Sequence, residues 1–275
     1  MRHCVLFVHG VGEQDPNPPV GFQQRIRLAF EEELARQGKR APAEALVWDY
    51  VYWADVTQPD QDALKGQLGV RGKLRNFLVG YMGDAVAYSK LAYPPDKYGE
   101  IQSRFAASIR RAADGIGGEE ARLTLIAHSL GAVIASDGFY DLLNAHALPQ
   151  NLRLTNVFTL GSPIALYGLR YGLVNFTKPI RPEVWVNFYY PQDVIGYPLK
   201  PLNEAYTQAV TEDVMLLPSE GTGVLSGIAR MFAARLPGVG PVLAHSWYFT
   251  NGEVIGRIGR TLAEQWQEQS ARPGI

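Results

Sequence analysis

The feature that most constrains this chain is a single serine between an apolar strand pattern and a helix pattern. Residues 123–127, Leu-Thr-Leu-Ile-Ala, predict a buried strand, and a helical pattern begins at Leu130. Ser129 therefore falls at a sharp turn, flanked by the small residues Ala127 and Gly131. Such a turn, a nucleophile elbow, projects a serine hydroxyl above the edge of a sheet. The pattern A-x-S-x-G departs from the usual G-x-S-x-G at its first position, and a generic strand-turn-helix junction is the alternative.

A second strand pattern ends in a glycine-rich turn near the amino terminus. Residues 4–8, Cys-Val-Leu-Phe-Val, predict a short buried strand, and the sequence H-G-V-G at residues 9–12 follows directly. Glycines let the backbone turn its amide groups toward a site, and backbone N–H groups are the donors that a tetrahedral oxyanion needs. We therefore expect an oxyanion hole formed by the amides of Val11 and Leu130. A simple glycine turn after a strand is the alternative.

On these two motifs the chain resembles the α/β-hydrolase family, in particular its small lipase and esterase members. With the acid and base candidates below, the resemblance runs from residue 3 to about residue 266, although only residues 9–12 and 127–131 are specific. It implies an α/β-hydrolase fold, with a mostly parallel central sheet, helices on both faces and a helical cap insertion. It also implies a serine nucleophile, then an acid after a later strand, then a histidine near the end.

Asp193 is the candidate for the acid. It follows the β-rich run at residues 183–190, and catalytic groups in open α/β sheets lie at the carboxyl ends of strands. Asp137 and Asp141 fall in the predicted helix after the serine, and Asp213 follows no convincing strand. A turn aspartate that caps a helix is the alternative interpretation of Asp193.

His245 is the candidate for the base, because among the five histidines only His245 comes after Asp193. It follows a Gly/Pro-rich stretch at residues 236–241 and precedes a predicted C-terminal helix. A surface or core histidine is the alternative. Together with Ser129, the two residues complete a Ser-Asp-His triad, and the expected reaction is cleavage of a carboxylic ester through an acyl-enzyme.

An insertion at residues 54–96 separates a strand pattern from the next helix pattern by far more than the usual ~2–6 residues. Its apolar spacing predicts one or two amphipathic helices, which we interpret as a cap. Phe77 and Tyr81 would then line an acyl pocket; alternatively, they only pack on the body of the protein. The glycine-punctuated residues 221–240 predict a flap that closes over substrate. Further candidates for substrate binding are His9, Gly10, His128 and Ile164.

Strand and helix patterns alternate along the rest of the chain. Helical spacing of apolar residues occurs at 22–34, 98–112 and 254–266, and strand patterns occur at 45–53 and 152–160. Alternation of this kind predicts a mainly parallel sheet covered on both faces, within a single domain at residues 1–275.

Composition and charge argue against several classes of partner. The chain has 26 basic and 27 acidic residues, so no global field favours nucleic acid or an anionic membrane. No apolar stretch approaches the ~18 residues of a transmembrane helix, so we expect no integral membrane segment. The single cysteine, Cys4, and an apolar run too short for a signal peptide favour a cytoplasmic protein. The histidines lack metal-ligand spacing, so we expect no metal and no other cofactor.

Other activities stay open at this level. An acyltransferase or a peptidase uses the same triad, because the acyl group is then passed to another alcohol or an amide is cleaved instead of an ester. A non-catalytic hydrolase-like scaffold is the remaining alternative, and a full Ser-Asp-His set argues against it. The expected partner is a small-molecule ester or lipid-like substrate; the sequence fixes neither its acyl-chain length nor the oligomeric state.

Overall fold

A single parallel sheet organises the protein. The computed structural model describes residues 2–11, 17, 19–89, 96–172, 176, 178–217 and 244–270. Within them the strands are β1 (His3–Val8), β2 (Leu46–Val51), β3 (Ala121–His128), β4 (Leu152–Leu160), β5 (Val184–Tyr189) and β6 (Glu212–Met215). The sheet order is β2-β1-β3-β4-β5-β6, and every neighbouring pair is parallel. The predicted α/β class with a parallel sheet is confirmed.

Helices cover both faces of this sheet. They are α1 (Val20–Arg36), α2 (Gln58–Leu68), α3 (Lys73–Ala87), α4 (Lys97–Gly115), α5 (Leu130–Asn144), α6 (Ile164–Tyr167), α7 (Glu204–Ala209) and α8 (Gly252–Ser270). The side chains of β1 alternate between the two faces of the sheet. Cys4, Leu6 and Val8 belong to an apolar cluster with α4 and α5, whereas Val5 and Phe7 belong to one with α1 and α8. A strand buried on both faces is apolar throughout, as in parallel sheets generally.

The edge strand β6 is a strand that the sequence pattern does not predict. It has four residues, Glu-Asp-Val-Met, and all of them are at least partly exposed. Asp213 is the second residue of this strand, so it lies near the amino end of β6 and does not follow a strand. A short edge strand with two acidic residues lacks the apolar alternation by which strands are recognised.

The insertion at residues 54–96 contains α2 and α3, in agreement with its amphipathic spacing. The two helices contact each other through the buried Gln61, whose amide donates to the carboxylate of Asp84 and to the carbonyl of Gly80. The flap predicted at residues 221–240 lies outside the described residues. Among those described, no helix is both long and apolar enough to cross a membrane.

The side of the sheet on which successive strands are added changes between β1 and β3. From β1 the chain passes to β2 on one side, whereas β3 to β6 are added in order on the other side. In open parallel sheets, ligands bind outside the carboxyl ends of the strands at such a switch point. The motif at residues 9–12 follows β1 in the chain, and the motif at residues 127–131 spans the end of β3.

Candidate active site

Ser129 occupies a strained turn between β3 and α5. Its backbone has φ 54° and ψ −132°, a conformation that non-glycine residues rarely adopt. The turn is held by the Ser129 N–H, which donates to the carbonyl of Leu160 at 2.9 Å. A Cβ at Gly131 would overlap the carbonyl oxygens of Val8 and His9, so glycine lets α5 begin directly against the end of β1. Ser129 Oγ is buried and has no hydrogen-bond partner among the described residues.

The loop after β1 passes directly over this turn. A Cβ at Gly10 would lie 2.6 Å from the Cβ of Ser129 and 2.7 Å from Nδ1 of His128, so the backbone approach requires glycine. Val11 follows Gly10 and is half-buried, and Leu130 is the first residue of α5. The structure therefore brings both predicted oxyanion donors into segments that adjoin Ser129, one of them at a helix N-terminus, where backbone N–H groups favour negative charge.

Asp193 and His245 meet beyond the end of β5. Nδ1 of His245 lies 2.9 Å from Oδ2 of Asp193, although the two residues are 52 positions apart. Both are buried, at 3% and 4% exposure. The other carboxylate oxygen, Oδ1, accepts the N–H of Ile195 at 3.0 Å. Because an ionised carboxylate only accepts hydrogen bonds, Nδ1 of His245 carries the ring proton in the neutral form.

The carboxyl of Asp193 is held in its ionised form. Burial alone raises its pKa, but the His245 imidazole, the Tyr248 hydroxyl and the Ile195 N–H together outweigh burial and bring the pKa below its ordinary value. Asp193 is therefore negatively charged at neutral pH, as a partner of a protonated imidazole must be.

Tyr248 is a residue of this site that sequence reasoning missed. Its hydroxyl donates to Oδ2 of Asp193 at 2.7 Å and accepts the N–H of Tyr190 at 3.2 Å. A local signal existed, since Tyr248 lies three residues after His245 in the short 3-10 helix Trp247–Thr250. A spacing of three residues, about one turn, brings the side chains of His245 and Tyr248 to the carboxylate of Asp193.

His9 lies at the base of the glycine loop, with 1% exposure. Its Nδ1 bonds to the carbonyl of Gly10 at 2.7 Å, and its Nε2 accepts the backbone N–H of Trp53 at 3.1 Å. The indole of Trp53 stacks on the imidazole with ring centroids 4.8 Å apart and donates to the His9 carbonyl. Burial lowers the pKa of His9 to about 3. The neutral ring thus fastens the loop to the end of β2.

His128, the residue before Ser129, contacts His245. Its Nε2 donates to the backbone carbonyl of His245 at 2.8 Å, and the two imidazole rings lie 4.7 Å apart. Burial, and then the charge of His245, lower the pKa of His128 to about 3. Since His128 directly precedes Ser129 in the chain, this contact brings His245 to the elbow.

Two of the predicted pocket residues, Tyr81 and Ile164, lie on α3 and α6. Tyr81 on α3 is half-buried, and its pKa is raised to about 12, first by burial and then by the charge of Asp193. The helix α3 therefore brings this phenol within electrostatic reach of Asp193. Ile164 is buried at the start of α6, where its N–H donates to Ser162 Oγ at 3.2 Å. The side chain of Phe77 lies outside the described residues.

The rival carboxylates are engaged in other parts of the structure. Asp137 and Asp141 on α5 accept tyrosine hydroxyls at 3.1 and 2.8 Å. Asp213 accepts the backbone N–H groups of residues 199 and 200 at 2.9 and 2.8 Å. No group of three or more His, Cys, Asp or Glu side chains in the described ranges is arranged to hold a metal ion.

Comparison with known proteins gives little. No family model and no curated protein matches the chain. The chain is similar to a crystal structure of an uncharacterized protein from Pseudomonas aeruginosa, with 12% sequence identity and a TM-score of 0.35 over 99% of this chain and 51% of that one. The chain therefore spans about half the length of that protein, and a likeness at this level carries no functional argument.

Proposed function

We propose that this chain is a serine hydrolase of the α/β-hydrolase type that cleaves carboxylic esters. The observation that carries the proposal is the buried His245–Asp193 hydrogen bond of 2.9 Å, in a chain whose Ser129 occupies a strained strand-to-helix turn. The three residue types and their order along the chain are those that acyl transfer by a triad uses.

The position of these residues in the sheet supports the same proposal. Ser129 follows β3 and Asp193 follows β5, so both lie at the carboxyl edge of the parallel sheet. The glycine loop after β1 lies on the other side of the switch point. Loops at this edge are where parallel α/β sheets bind ligands. The helices α2 and α3 stand in the chain where we predict a cap.

In the proposed reaction, Nε2 of His245 takes the proton of Ser129 Oγ as the oxygen attacks the ester carbonyl carbon. Asp193 stabilises the imidazolium that forms and keeps the ring in the tautomer with its proton on Nδ1. The imidazolium then protonates the leaving alcohol, which gives the acyl-enzyme. Water, activated by His245 in the same way, releases the carboxylic acid and restores the serine.

Negative charge that develops on the carbonyl oxygen needs fixed donors. The amides of Val11 and Leu130 are the proposed donors, and the removal of one such donor costs about 3 kcal/mol of barrier in serine hydrolases. Both are backbone groups in segments held by close approach, at Gly10 and at the start of α5. Donors that are already in place do not have to reorganise during the reaction.

The decisive experiment is labelling with a fluorophosphonate probe, in which Ser129 Oγ displaces fluoride and forms a stable phosphonate ester. We expect the wild-type chain to be labelled and Ser129→Ala to be unlabelled with an unchanged fold. Ser162→Ala is the matched control, because Ser162 is also fully buried and lies two residues after the end of β4. Labelling of Ser129→Ala at the wild-type rate would overturn the assignment of the nucleophile.

Hydrolysis of p-nitrophenyl esters tests the reaction itself. We expect turnover by the wild-type chain and only a trace in Ser129→Ala. Labelling without ester turnover would favour the acyltransferase or peptidase alternative, which assays with added alcohols and amides separate. A folded wild-type chain that takes no label would favour the non-catalytic scaffold.

A further inference from the structure

We propose that Tyr248 is a positioning residue of the triad, which fixes the carboxylate of Asp193 and limits how strongly that carboxylate supports His245 as a base. The inference rests on the proposed function, because it concerns the same serine, acid and base. It assigns to Tyr248 a role through Asp193 and no contact with substrate.

The proton of the Tyr248 hydroxyl has a defined position. The oxygen accepts the N–H of Tyr190 at 3.2 Å, and that group can only donate. The hydroxyl proton is therefore directed at Oδ2 of Asp193, 2.7 Å away. Tyr248 is fully buried, so water does not compete for this hydrogen bond. The phenol is a permanent donor to the carboxylate.

The same carboxylate oxygen serves two donors. Oδ2 of Asp193 also accepts Nδ1 of His245, at 2.9 Å. Each donor withdraws charge from the oxygen that they share, so the Tyr248 hydroxyl reduces what is left to stabilise an imidazolium. With both donors present, the proton between Asp193 and His245 stays on the imidazole.

Two glycines close the space around this arrangement. A Cβ at Gly161 would lie 2.7 Å from Oδ2 of Asp193, and a Cβ at Gly196 would lie 3.0 Å from the same atom. Those two Cβ atoms would also lie 2.8 and 3.1 Å from the Tyr248 side chain. The backbone thus fits tightly around the carboxylate and the phenol, which is typical of a group held in one orientation.

Two further titratable groups near the pair, His128 and Tyr81, stay uncharged in the range of the test. His128, whose pKa is lowered to about 3 first by burial, packs on His245. Tyr81 on α3, whose pKa is raised to about 12 first by burial, feels the charge of Asp193. A change of rate between about pH 5 and about pH 9 therefore reports on the His245–Asp193 pair.

The test is the rate constant of fluorophosphonate labelling as a function of pH, for the wild type, Tyr248→Phe and Tyr190→Phe. The control also removes one buried hydroxyl from the same aromatic cluster, since the two rings lie 5.0 Å apart, but the Tyr190 hydroxyl oxygen accepts the side-chain amide of Asn251. We expect Tyr248→Phe to lower the plateau rate about tenfold and to move the acid limb about half a pH unit upward. Tyr190→Phe should keep the acid limb of the wild type.

A second variant reverses the sign of the effect. A fluorinated tyrosine introduced at position 248 alone keeps the hydroxyl and makes it a stronger donor, so the acid limb should move to lower pH. This variant adds one small atom and guards against a fold that fails in Tyr248→Phe. If both variants kept the acid limb of the wild type, the role of Tyr248 would be purely structural and the inference wrong. If the wild-type chain took no label, the proposed function would fail first.

Discussion

The two ends of the central sheet bury polar side chains in different ways. One network, here called the amino-end network, runs from the first residue of β1 to the middle of β3 and β4: Nε2 of His3 and the amide of Asn156 both bond to Thr124 Oγ1, at 2.7 and 2.8 Å. Asn156 and Gln265 exchange two further hydrogen bonds of 2.8 Å. These residues lie within β1, β3, β4 and α8. At the carboxyl ends, by contrast, Ser129, Asp193 and His245 lie beyond the strands, and Ser129 has a positive φ.

This contrast separates buried polar residues that stabilise the fold from polar residues that are positioned for a reaction. Hydrogen bonds between side chains of neighbouring strands and α8 hold these elements together. A substitution of one such side chain leaves its buried partner without a hydrogen bond. Side chains in strained or loop positions are held by their surroundings so that a reacting atom can approach them. We therefore expect changes at the amino end to cost stability, and changes at the carboxyl end to cost activity.

The largest effect expected at the carboxyl end is that of Asp193→Asn. The amide keeps the volume but no longer holds His245 in the productive tautomer, so the rate of ester hydrolysis should fall by up to ~10⁴. Steady-state hydrolysis of a p-nitrophenyl ester measures this loss. The free energy of unfolding from urea titration should change much less.

Asp213→Asn is the matched control for that variant. Asp213 is also a carboxylate beside β5, but its partners are the N–H groups of residues 199 and 200 and the amide of Asn187. The substitution should destabilise the fold by about 1–3 kcal/mol and leave most of the activity. Equal losses of rate in the two variants would remove Asp193 as the acid and would break the contrast between the ends of the sheet.

Local sequence patterns predict the regular elements well. The strand pattern at residues 152–160 coincides with β4, Leu152–Leu160, because a long apolar strand in the middle of a sheet has a strong signal. Phe22 and Leu34, one at each end of the first helix pattern, are both buried on α1. The edge strand β6 is missed, because its stability comes from pairing with β5 rather than from its own apolar residues.

Residues of the candidate site are predictable from the sequence only where they belong to a local motif or fit the expected order of serine, acid and histidine along the chain. Ser129 and the loop over it belong to short motifs, and the order of the chain indicates Asp193 and His245. The anchoring contact of His128 with the backbone of His245 joins residues 117 positions apart, so no spacing reveals it. The three-residue spacing of Tyr248 from His245 is a local signal, but the hydrogen bond of Tyr248 to Asp193 depends on how the loop after β5 meets the segment before α8.

At the amino end, Asn156→Leu should give the largest loss of stability. The leucine removes the donor to Thr124 and both hydrogen bonds to Gln265, which leaves a buried amide unsatisfied. We expect a loss of about 2 kcal/mol or more in urea unfolding. The double variant Asn156→Leu with Gln265→Leu should recover part of this loss, because no lone amide remains.

The rate of fluorophosphonate labelling shows whether Asn156→Leu affects only the stability of the fold. Under conditions where Asn156→Leu is fully folded, its rate constant should equal that of the wild type. A rate constant reduced by tenfold or more in the folded protein would mean that the amino-end network also positions the triad, and the proposed division between the ends of the sheet would be wrong.

A smaller effect, shared by both ends, appears in the dependence of stability on pH. Burial, with a further contribution from Arg122, lowers the pKa of His3 to about 3, and burial also brings the pKa of His9 to about 3, against 6.5 for an exposed histidine. Between those values the unfolded chain binds protons that the folded chain does not. Stability should therefore fall as the pH drops below about 6.5, by about 1 kcal/mol per pH unit for each histidine.

Single variants separate the two ends in this experiment. His3→Gln and His9→Gln should each reduce the pH slope of the unfolding free energy by about one proton between about pH 4 and about pH 6. Only His9→Gln should slow labelling of Ser129, because His9 fastens the glycine loop to Trp53. An unchanged slope in His3→Gln would show that His3 is protonated in the folded protein.

The smallest expected effect concerns the cap. Tyr81 on α3 is half-buried within electrostatic reach of Asp193, whereas the next residue, Met82, is 61% exposed. If α3 supplies a wall of the acyl pocket, Tyr81→Ala should shift the preference toward longer acyl esters, by about 0.8 kcal/mol or less per methylene accommodated. Met82→Ala should leave the chain-length profile of kcat/KM unchanged. A lower melting temperature in Tyr81→Ala with an unchanged profile would mean that α3 only packs on the body, and the carboxyl end of the sheet would then act without a substrate-binding cap.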